Sequence, residues 1–228
     1  MAAFWDSILK SPAGAPHGNW QRYAVDETGW QRAAEALANP AAVLLGLWAD
    51  TLSGNSGTIR MALLDETTHE IAVLELACPD GTYPSVGRQH APAQRLERAA
   101  RDLFGLVPDD APDRRPWLDH GRWGTRQPLG QARPDAAAGD AYAFLAAEGD
   151  GLHQIPVGPV HAGIIEPGHF RFTANGEAVV RLEERLGYVH KGIEGLMAGA
   201  SLADAARLAA RTSGDSTVAY ALAFAQAA

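Results

Sequence analysis

The sequence predicts an α+β protein with a small N-terminal sheet and flanking helices, followed by a β-hairpin and a group of helices. Apolar runs of strand length follow one another between residues 41 and 78. Segments with helical patterning lie at 92–104 and 216–228. The pair Asn175-Gly176 separates two further patterned runs, and Asn-Gly is a strong hairpin signal because both residues tolerate a positive φ. We expect three or four antiparallel or mixed strands in the first sheet, with two helices beside it.

The composition narrows the class of protein. At 228 residues, the chain is long enough for one large domain or two modest ones. A net charge of -8 disfavours a nucleic-acid partner, because contacts to phosphates need clustered Lys and Arg. No apolar run is long enough to span a bilayer, and the first residues lack the layout of a signal peptide. We therefore expect a cytoplasmic protein, which can still dock on a membrane complex.

Cysteine usage excludes two kinds of site. Cys78 is the single cysteine, so the chain has neither an intramolecular disulfide nor a CxxC metal or cluster motif. It lies in the apolar run IAVLELAC and is predicted to be a small buried hydrophobic residue.

The elements of the first half follow from apolar spacing and from helix-ending residues. Residues 1–24 are predicted to be irregular. A helix is predicted over Thr28–Asn39, with Thr28 as its N-cap and Pro40 beyond its end. Three strands are predicted after it, at 41–50, 58–66 and 69–78.

The segment PAQRLERAARDLF, residues 92–104, predicts an amphipathic helix with an arginine-rich outer face and Gly105 at its end. We expect Glu97, Arg98 and Asp102 on this helix to be structural, tying it to the Pro-rich and Asp-rich loop that follows.

A shift to Ala, Gly, Pro and Asp between Gly124 and Gly151 is typical of a linker. We therefore place the first domain at 1–124, the linker at 125–152 and the second domain at 153–228.

The second domain opens with a loop that is dense in His, Gly and Pro, within residues 153–172. A loop of this kind that feeds a rigid hairpin is a frequent place for chemistry, although a structural loop with satisfied histidines explains it equally well. Helices are predicted at 192–199 and 201–210, with Ser201 capping the second. The last apolar helix stops in mid-pattern at Ala228, so we expect the chain to be cut short or completed by a partner.

Motifs in both halves resemble one enzyme family. The segments LERAARDLFGL, PDRRPWLDHGRW and RQPLG, all within residues 96–130, resemble the 30 kDa subunit of respiratory NADH:quinone oxidoreductase. In the second half GPVH, EPGHFRF, NGE and GYVHKGIE occur in the order found in the 49 kDa subunit and in [NiFe]-hydrogenase large subunits. The fused pair is similar to the large subunit of formate hydrogenlyase and of group 4 membrane-bound hydrogenases.

The resemblance gives two serines a specific meaning. Catalytic hydrogenases carry two nickel-binding cysteines where this chain has Ser213 and Ser216. A serine hydroxyl stays protonated and is a hard donor, so it does not replace a bridging thiolate. The resemblance therefore implies that the NiFe centre is absent. We expect the two serines to face each other one helical turn apart, with no metal between them.

Other matched positions imply candidate site residues. Glu166 falls near a proton-relaying glutamate of hydrogenases, although Pro167 interrupts the spacing, and His169 matches a histidine that contacts the quinone headgroup. These two are the candidate catalytic residues, and His161 and His169 the candidate cofactor-binding residues. The tyrosine that completes such a quinone site is missing after Arg211.

The alternative for the histidines is structural. Hydrogen bonds that join the loop, the hairpin and the first helix are the expected role of four residues: His161, Tyr188, His190 and Glu194.

Three functions remain open on the sequence. The first is a large-subunit-like component of a membrane-associated hydrogenase-4-like or complex-I-like oxidoreductase complex without a NiFe centre, and the second is a quinone-interacting subunit. The third is a structural docking module with no redox partner. The resemblance implies no cofactor in this chain, although quinone remains a candidate ligand. It also implies iron–sulfur clusters in a partner small subunit, proton-pumping membrane subunits as further partners, and attachment to the inner face of the cell membrane.

Overall fold

The computed structural model describes Trp5, Ile8 and residues 15–17, 20–51, 57–134, 142–160 and 164–228. Contacts divide the chain into two compact units. Unit 1 comprises Met1–Pro116 with Gln127–Arg133, and unit 2 comprises Trp117–Arg126 with Pro134–Ala228. The units interleave along the chain, whereas the expected domains were sequential. Gln127–Arg133 lies in unit 1 because the Leu129 amide donates to the Leu103 carbonyl at 3.0 Å.

Unit 1 contains a five-stranded mixed sheet in the order β1-β2-β5-β4-β3. Strand β2 is parallel to β5, and the other pairs are antiparallel. The strands are β1 (Ala15–His17), β2 (Trp20–Ala24), β3 (Ala42–Thr51), β4 (Gly57–Asp65) and β5 (Glu70–Cys78). The three predicted strands are confirmed as β3, β4 and β5. Strands β1 and β2 lie in the segment that was predicted to be irregular. Strand β2 was missed because it is polar and largely solvent-facing, and so lacks an apolar alternation.

Helix α1 (Glu27–Ala36) covers this sheet and begins two residues earlier than a cap at Thr28 would place it. Its N-cap is Asp26, whose carboxylate accepts a hydrogen bond from the Gly29 amide at 2.7 Å, so the prediction of Thr28 was wrong. The chain remains extended through Val25, whose amide donates to the Glu75 carbonyl, and turns helical directly afterwards. Trp30 is fully buried and packs edge-on against Tyr83, with ring centroids 6.2 Å apart.

Helix α2 (Ala93–Phe104) ends at Gly105, which has a φ of 83°. Its buried face includes the charged residues Glu97 and Arg98, which bind to loops, and Asp102, which accepts hydrogen bonds from Arg101 of the same helix. The Glu97 carboxylate accepts hydrogen bonds from the Ser85 hydroxyl at 2.9 Å and from the amides of the next two residues at 2.6 and 3.2 Å. Arg98 donates to the carbonyls of Arg115 and Pro116 at 2.8 and 2.9 Å. These contacts support the structural role expected for this helix face.

Two short strands flank α2 and were not predicted. Strand β6 (Thr82–Pro84) pairs in parallel with β7 (Val107–Asp109). Two further strands of two residues each, β8 (Thr125–Arg126) and β9 (Arg133–Pro134), follow along the chain.

Unit 2 is built on a three-stranded antiparallel sheet of β10 (Leu152–Val157), β11 (His169–Asn175) and β12 (Ala178–Arg185). The predicted hairpin is confirmed, but its turn lies one residue later. Asn175 pairs with Ala178, so the loop is Gly176-Glu177, and the positive φ of 58° falls on Gly176 alone. Glycine with positive φ at the first loop position is the pattern of a type II′ turn. Strand β10 was not predicted.

Three helices complete unit 2, at the predicted places: α3 (Ile193–Met197), α4 (Leu202–Ala209) and α5 (Thr217–Ala227). The Ser201 hydroxyl caps α4 by accepting a hydrogen bond from the Asp204 amide at 3.2 Å, as expected. Within the described ranges, no helix combines the length and the apolar character that crossing a bilayer requires.

The buried carboxylate of Glu97 gives a test of this fold. Burial raises the pKa of Glu97, and its oxygens face three donors. Glu97→Gln places an amide nitrogen against one of these donors, so we expect the free energy of unfolding to fall by about 1–3 kcal/mol. Urea unfolding measures this loss. Glu35→Gln, at an exposed position on α1, is the matched control and should stay within about 0.5 kcal/mol of wild type. Equal effects of the two changes would contradict the structural role of Glu97.

Candidate functional site

Apart from His169 on β11 and Glu194 on α3, the candidate site residues lie on three segments of unit 2. These segments are the loop between β10 and β11, the segment between β12 and α3, and the turn between α4 and α5. The first segment is closed at its end by a hydrogen bond from the Gly168 amide to the Pro159 carbonyl at 2.9 Å. His161 lies outside the described residues.

Lys191 joins the three segments. Its ammonium group forms an ion pair with Glu166 and donates to the Thr212 carbonyl, at 2.9 Å from that oxygen. Close packing supports the same junction, since a Cβ on Gly214 would lie 2.9 Å from the Ile164 carbonyl oxygen. Both charged side chains are well exposed, so the ion pair contributes about 0–1 kcal/mol. Glu166 therefore has a positioned cationic partner, and the pair is open to solvent.

Ser213 and Ser216 share one acceptor. Their hydroxyls donate to the same carboxylate oxygen of Asp215, at 2.6 and 3.2 Å. The hydrogen bond from Ser213 is the main cause that lowers the pKa of Asp215. The two serines were expected to face each other one helical turn apart; their hydroxyls do converge on one oxygen, but the helical placement was wrong. They lie in a turn before α5, closed by a hydrogen bond from the Ser216 amide to the Ser213 carbonyl at 3.3 Å.

An open cleft of about 490 Å³ adjoins this turn. Its lining is basic and hydroxylic, and consists of Arg207, Ala210, Arg211, Ser213, Gly214 and Thr217. Within the described part of the chain, no group of three or more His, Cys, Asp or Glu side chains is arranged to hold a metal ion. The chemistry that this turn offers is hydrogen bonding to a polar ligand.

His169, the first residue of β11, lies in a different environment from Glu166. Its ring centroid is 5.2 Å from that of Phe144, and its Nε2 atom is enclosed without a hydrogen-bond partner. The two candidate catalytic residues share no hydrogen bond in the described structure. His169 instead lies directly across from Arg185 on β12, and Arg171 holds its guanidinium 4.0 Å from the Phe144 centroid.

Sequence reasoning did not single out Arg171 and Arg185. The available signal was the two-residue period of the strand, which places His169 and Arg171 on one face. Arg185 is buried, with 9% of its surface exposed, and its guanidinium lies 4.0 Å from the centroid of Tyr188. Burial lowers the pKa of Arg185, and the neighbouring charge of Arg122 acts in the same direction.

Tyr188 and His190 hold the segment after β12 through ring contacts, where hydrogen bonds were expected. The His190 ring lies 4.7 Å from that of Trp123, whose indole nitrogen donates to the Gly187 carbonyl at 3.1 Å. Gly187 has a φ of 73°, and a Cβ there would overlap the Leu118 carbonyl. Glycine is therefore required at this point, directly after the hairpin.

Comparison with known proteins gives a consistent group of relatives. Residues 23–137 match the family described as the respiratory-chain NADH dehydrogenase, 30 kDa subunit. The chain is 33% identical to hydrogenase-4 component G of Escherichia coli (strain K12) over 165 residues, which is 68% of this chain and 30% of that protein. It is 36% identical to formate hydrogenlyase subunit 5 of the same organism over 123 residues, covering 50% of this chain and 22% of that protein.

Two further matches are shorter or more distant. The carbon monoxide-induced hydrogenase of Rhodospirillum rubrum is 48% identical over 42 residues, covering 18% of this chain and 12% of that protein. The solved structure of a trypsin-resistant fragment of Nqo5 matches with a TM-score of 0.36 and 17% identity, over 42% of this chain and 83% of that one. The chain spans less than a third of the length of each curated relative named here. The expected resemblance to the 30 kDa subunit is confirmed.

The labelling rate of the single cysteine tests whether its thiol is buried. Cys78 is 1% exposed on β5, and burial raises the pKa of its thiol to about 11. At pH 8 the native thiol is therefore protonated, and we expect iodoacetamide to label it far more slowly in the native chain than in urea. The unfolded thiol has a pKa of about 8.5. Any stabilisation from keeping it neutral is present below that pH and is lost as the pH rises towards 11. Mass spectrometry of labelled protein measures the rates, and equal rates at pH 8 would contradict burial of this thiol.

Proposed function

Because the chain belongs to the family of the 30 kDa subunit of respiratory-chain NADH dehydrogenase, we propose that it is a large-subunit-like component of a hydrogenase-4-like or complex-I-like oxidoreductase assembly. In this proposal the chain carries no NiFe centre. Its role is to position neighbouring redox and membrane subunits, so it is not catalytic alone. Two relatives are by name components of hydrogenase-4 and formate hydrogenlyase, which supports an assembly of this kind.

The fusion of two modules is supported by the extent of the similarity. The match to hydrogenase-4 component G covers 68% of this chain. This share is larger than residues 1–137, which comprise the family match at 23–137 and all residues before it. Part of that similarity therefore falls after residue 137, in the half that carries the EPGHFRF and GYVHKGIE motifs. We propose that this half corresponds to the beginning of a hydrogenase large-subunit-like domain.

The residues present do not fit a nickel centre. At the matching positions, Ser213 and Ser216 both donate hydrogen bonds to the Asp215 carboxylate. Hard oxygen donors do not supply the soft bridging thiolates that such a centre needs. The chain's one thiol, that of Cys78, is buried in the sheet of unit 1. The replacement of both nickel-binding thiolates by serine hydroxyls is therefore the main observation that supports a role without nickel.

A role in assembly is supported by the weak internal core of unit 2. Among the described residues, its buried hydrophobic side chains are three alanines, Ala174, Ala205 and Ala209. Larger apolar side chains are exposed instead, including Val218 at 80% and Leu222 at 58% on α5. Apolar patches of this kind mark interaction surfaces. We propose an iron–sulfur small subunit and membrane proton-pumping subunits as the partners, with peripheral attachment to the inner face of the cell membrane.

A second function, interaction with quinone, is favoured by one observation. The Nε2 atom of His169 is enclosed and has no hydrogen-bond partner, so a protonated Nε2 is suited to donate to the carbonyl of a quinone headgroup. The aromatic ring of Phe144 beside it would pack against such a ligand. This function differs from the first in requiring a small ligand within this chain.

The first function is tested by purification of the affinity-tagged chain from its native cells without oxygen. We expect an iron–sulfur subunit to co-purify, iron to follow the amount of that subunit, and nickel to stay far below stoichiometric levels. Elemental analysis measures both metals. The variant Ser213→Ala/Ser216→Ala should show the same metal content. Stoichiometric nickel in wild type, lost in this variant, would overturn the absence of a centre, and recovery of the chain alone would overturn the assembly.

The second function predicts that a short-chain quinone analogue quenches tryptophan fluorescence in a saturable way. We expect His169→Phe, which keeps a ring but removes the Nε2 donor, to weaken this binding by about fivefold, because one hydrogen bond is worth about 1 kcal/mol and tenfold corresponds to about 1.4 kcal/mol. His153→Phe, at an exposed position on β10, is the control. Binding that is equally tight in both variants would remove His169 from the site.

A further inference from the structure

One face of the three-stranded sheet in unit 2 carries more positive charge than its own carboxylate balances. Residues directly opposite each other on antiparallel strands share a face. On β11 and β12 these pairs include His169 with Arg185 and Arg171 with Glu183. Arg181, two residues before Glu183, lies on the same face. Three arginines and a histidine therefore accompany one glutamate, in a chain whose net charge is -8.

The glutamate is already engaged. Both carboxylate oxygens of Glu183 lie 3.2 Å from the Leu145 amide, and one lies 3.4 Å from the Arg181 Nε atom. Glu183 is buried, so this pairing offsets the charge of Arg181. The charges of Arg171 and Arg185 remain to be balanced.

Arg185 shows the deficit most clearly. It is buried, and the contacts of its guanidinium are the Leu186 carbonyl at 2.8 Å and the ring of Tyr188. No described carboxylate contributes to its charge environment, whereas Arg122 adds repulsion. Removing a guanidinium from water without a counter-ion costs several kcal/mol. A carbonyl oxygen and an aromatic ring offset only part of that cost.

Two further donors on this face lack acceptors. The Arg171 Nε atom and the His169 Nε2 atom are both enclosed and make no hydrogen bond. Each lies beside the ring of Phe144, which covers this part of the sheet. Buried polar atoms in native proteins nearly always have a partner. Both atoms belong to residues two positions apart on one face of β11, so one bound group with two acceptor oxygens is suited to serve both.

We propose that His169, Arg171 and Arg185 form a binding site for an oxyanion, a carboxylate or phosphate group. The planar guanidinium groups match the geometry of such an anion, and charge-assisted hydrogen bonds are strongest where water is excluded. The rings of Tyr142, Phe144 and Tyr188 supply the apolar surroundings. A neutral quinone would satisfy His169 but would leave both guanidinium charges unbalanced. The site is therefore independent of the assembly proposed above, and an anion bound there would compete with quinone for His169.

The test is thermal unfolding of the full chain at pH 7, with chloride exchanged for inorganic phosphate or acetate at constant ionic strength. We expect a saturable rise in Tm with at least one of the two anions and none with chloride. Arg185→Gln and Arg171→Gln should each weaken the apparent affinity by about tenfold or more, the size expected for loss of a charge-assisted bond. No rise with either anion, or an unchanged affinity in both variants, would overturn the proposal.

A matched control locates the binding. Arg207→Gln removes an exposed arginine of the other basic cleft, where it pairs with Asp204, and it should leave the affinity unchanged. Loss of binding in Arg207→Gln would place the anion in that cleft and overturn the proposal. If the other variants do not fold, the wild-type chain labelled with 15N-arginine takes their place. Phosphate or acetate must then shift the Nε–Hε signals of two arginines, and a titration that matches chloride would overturn the site.

The source of the oxyanion is distinguished in the assembled complex. A free anion as the natural ligand predicts the same rise in Tm with and without partner subunits. A carboxylate side chain supplied by a partner predicts a rise in the isolated chain that disappears in the complex. The metal content and co-purification that test the assembly do not depend on this site, so either proposal can fail alone.

Discussion

The pairing of β11 with β12 is the constraint on which the chemistry of unit 2 depends. Hydrogen bonding between these strands places His169 opposite Arg185 and Arg171 opposite Glu183. A slip of one residue would move every one of these side chains to the other face of the sheet. Two features set this pairing: the turn at Gly176, where glycine takes the positive φ that the first loop position needs, and the β-bulge between Thr173 and Ala174, which shifts the register by one residue. The turn's register continued without the bulge would place Glu184 opposite His169, so the turn and the bulge together decide which charged groups meet.

The turn at residues 213–216 and the group formed by His169, Arg171 and Arg185 differ in whether their polar groups have partners within the chain. In the turn, the hydroxyls of Ser213 and Ser216 find their acceptor in the adjacent Asp215, so the polar groups satisfy one another locally. Such an arrangement explains how the chain tolerates serine at these positions without a metal to organise them. Around His169 and Arg185, donors outnumber acceptors and the groups are enclosed. A satisfied polar group is compatible with a structural role, whereas an enclosed and unsatisfied donor still needs an acceptor.

The sequence predicted those parts of the fold in which local pattern and tertiary packing agree. Strands β3, β4 and β5 are apolar and central, so their composition identifies them, and α2 has both a clear periodicity and a glycine stop at Gly105. Strand β10 escaped prediction because it has little apolar alternation and its outer residues are exposed. In the candidate site, motif matching found His169, but Arg185 was not identified, because its burial depends on pairing with a strand that begins many residues earlier. Cross-strand neighbours of this kind become visible only when the register is known.

The distribution of buried surface links the two halves of the chain to different roles. Unit 1 has a core of large side chains, with Trp30, Ile59, Met61 and Leu74 almost fully enclosed. Burial of a Leu, Ile or Met side chain contributes about 1.5–3 kcal/mol to the free energy of unfolding. The core of unit 1 therefore stabilises that unit by itself. The buried hydrophobic residues of unit 2, within its described part, are alanines, which contribute much less per residue. Helix α5 of unit 2 exposes apolar side chains that no other part of the described chain covers. Arg171 and Arg185 of the same unit lack a counter-ion among the described residues. A partner that brought both an apolar face and an acidic side chain would remove both deficits at once.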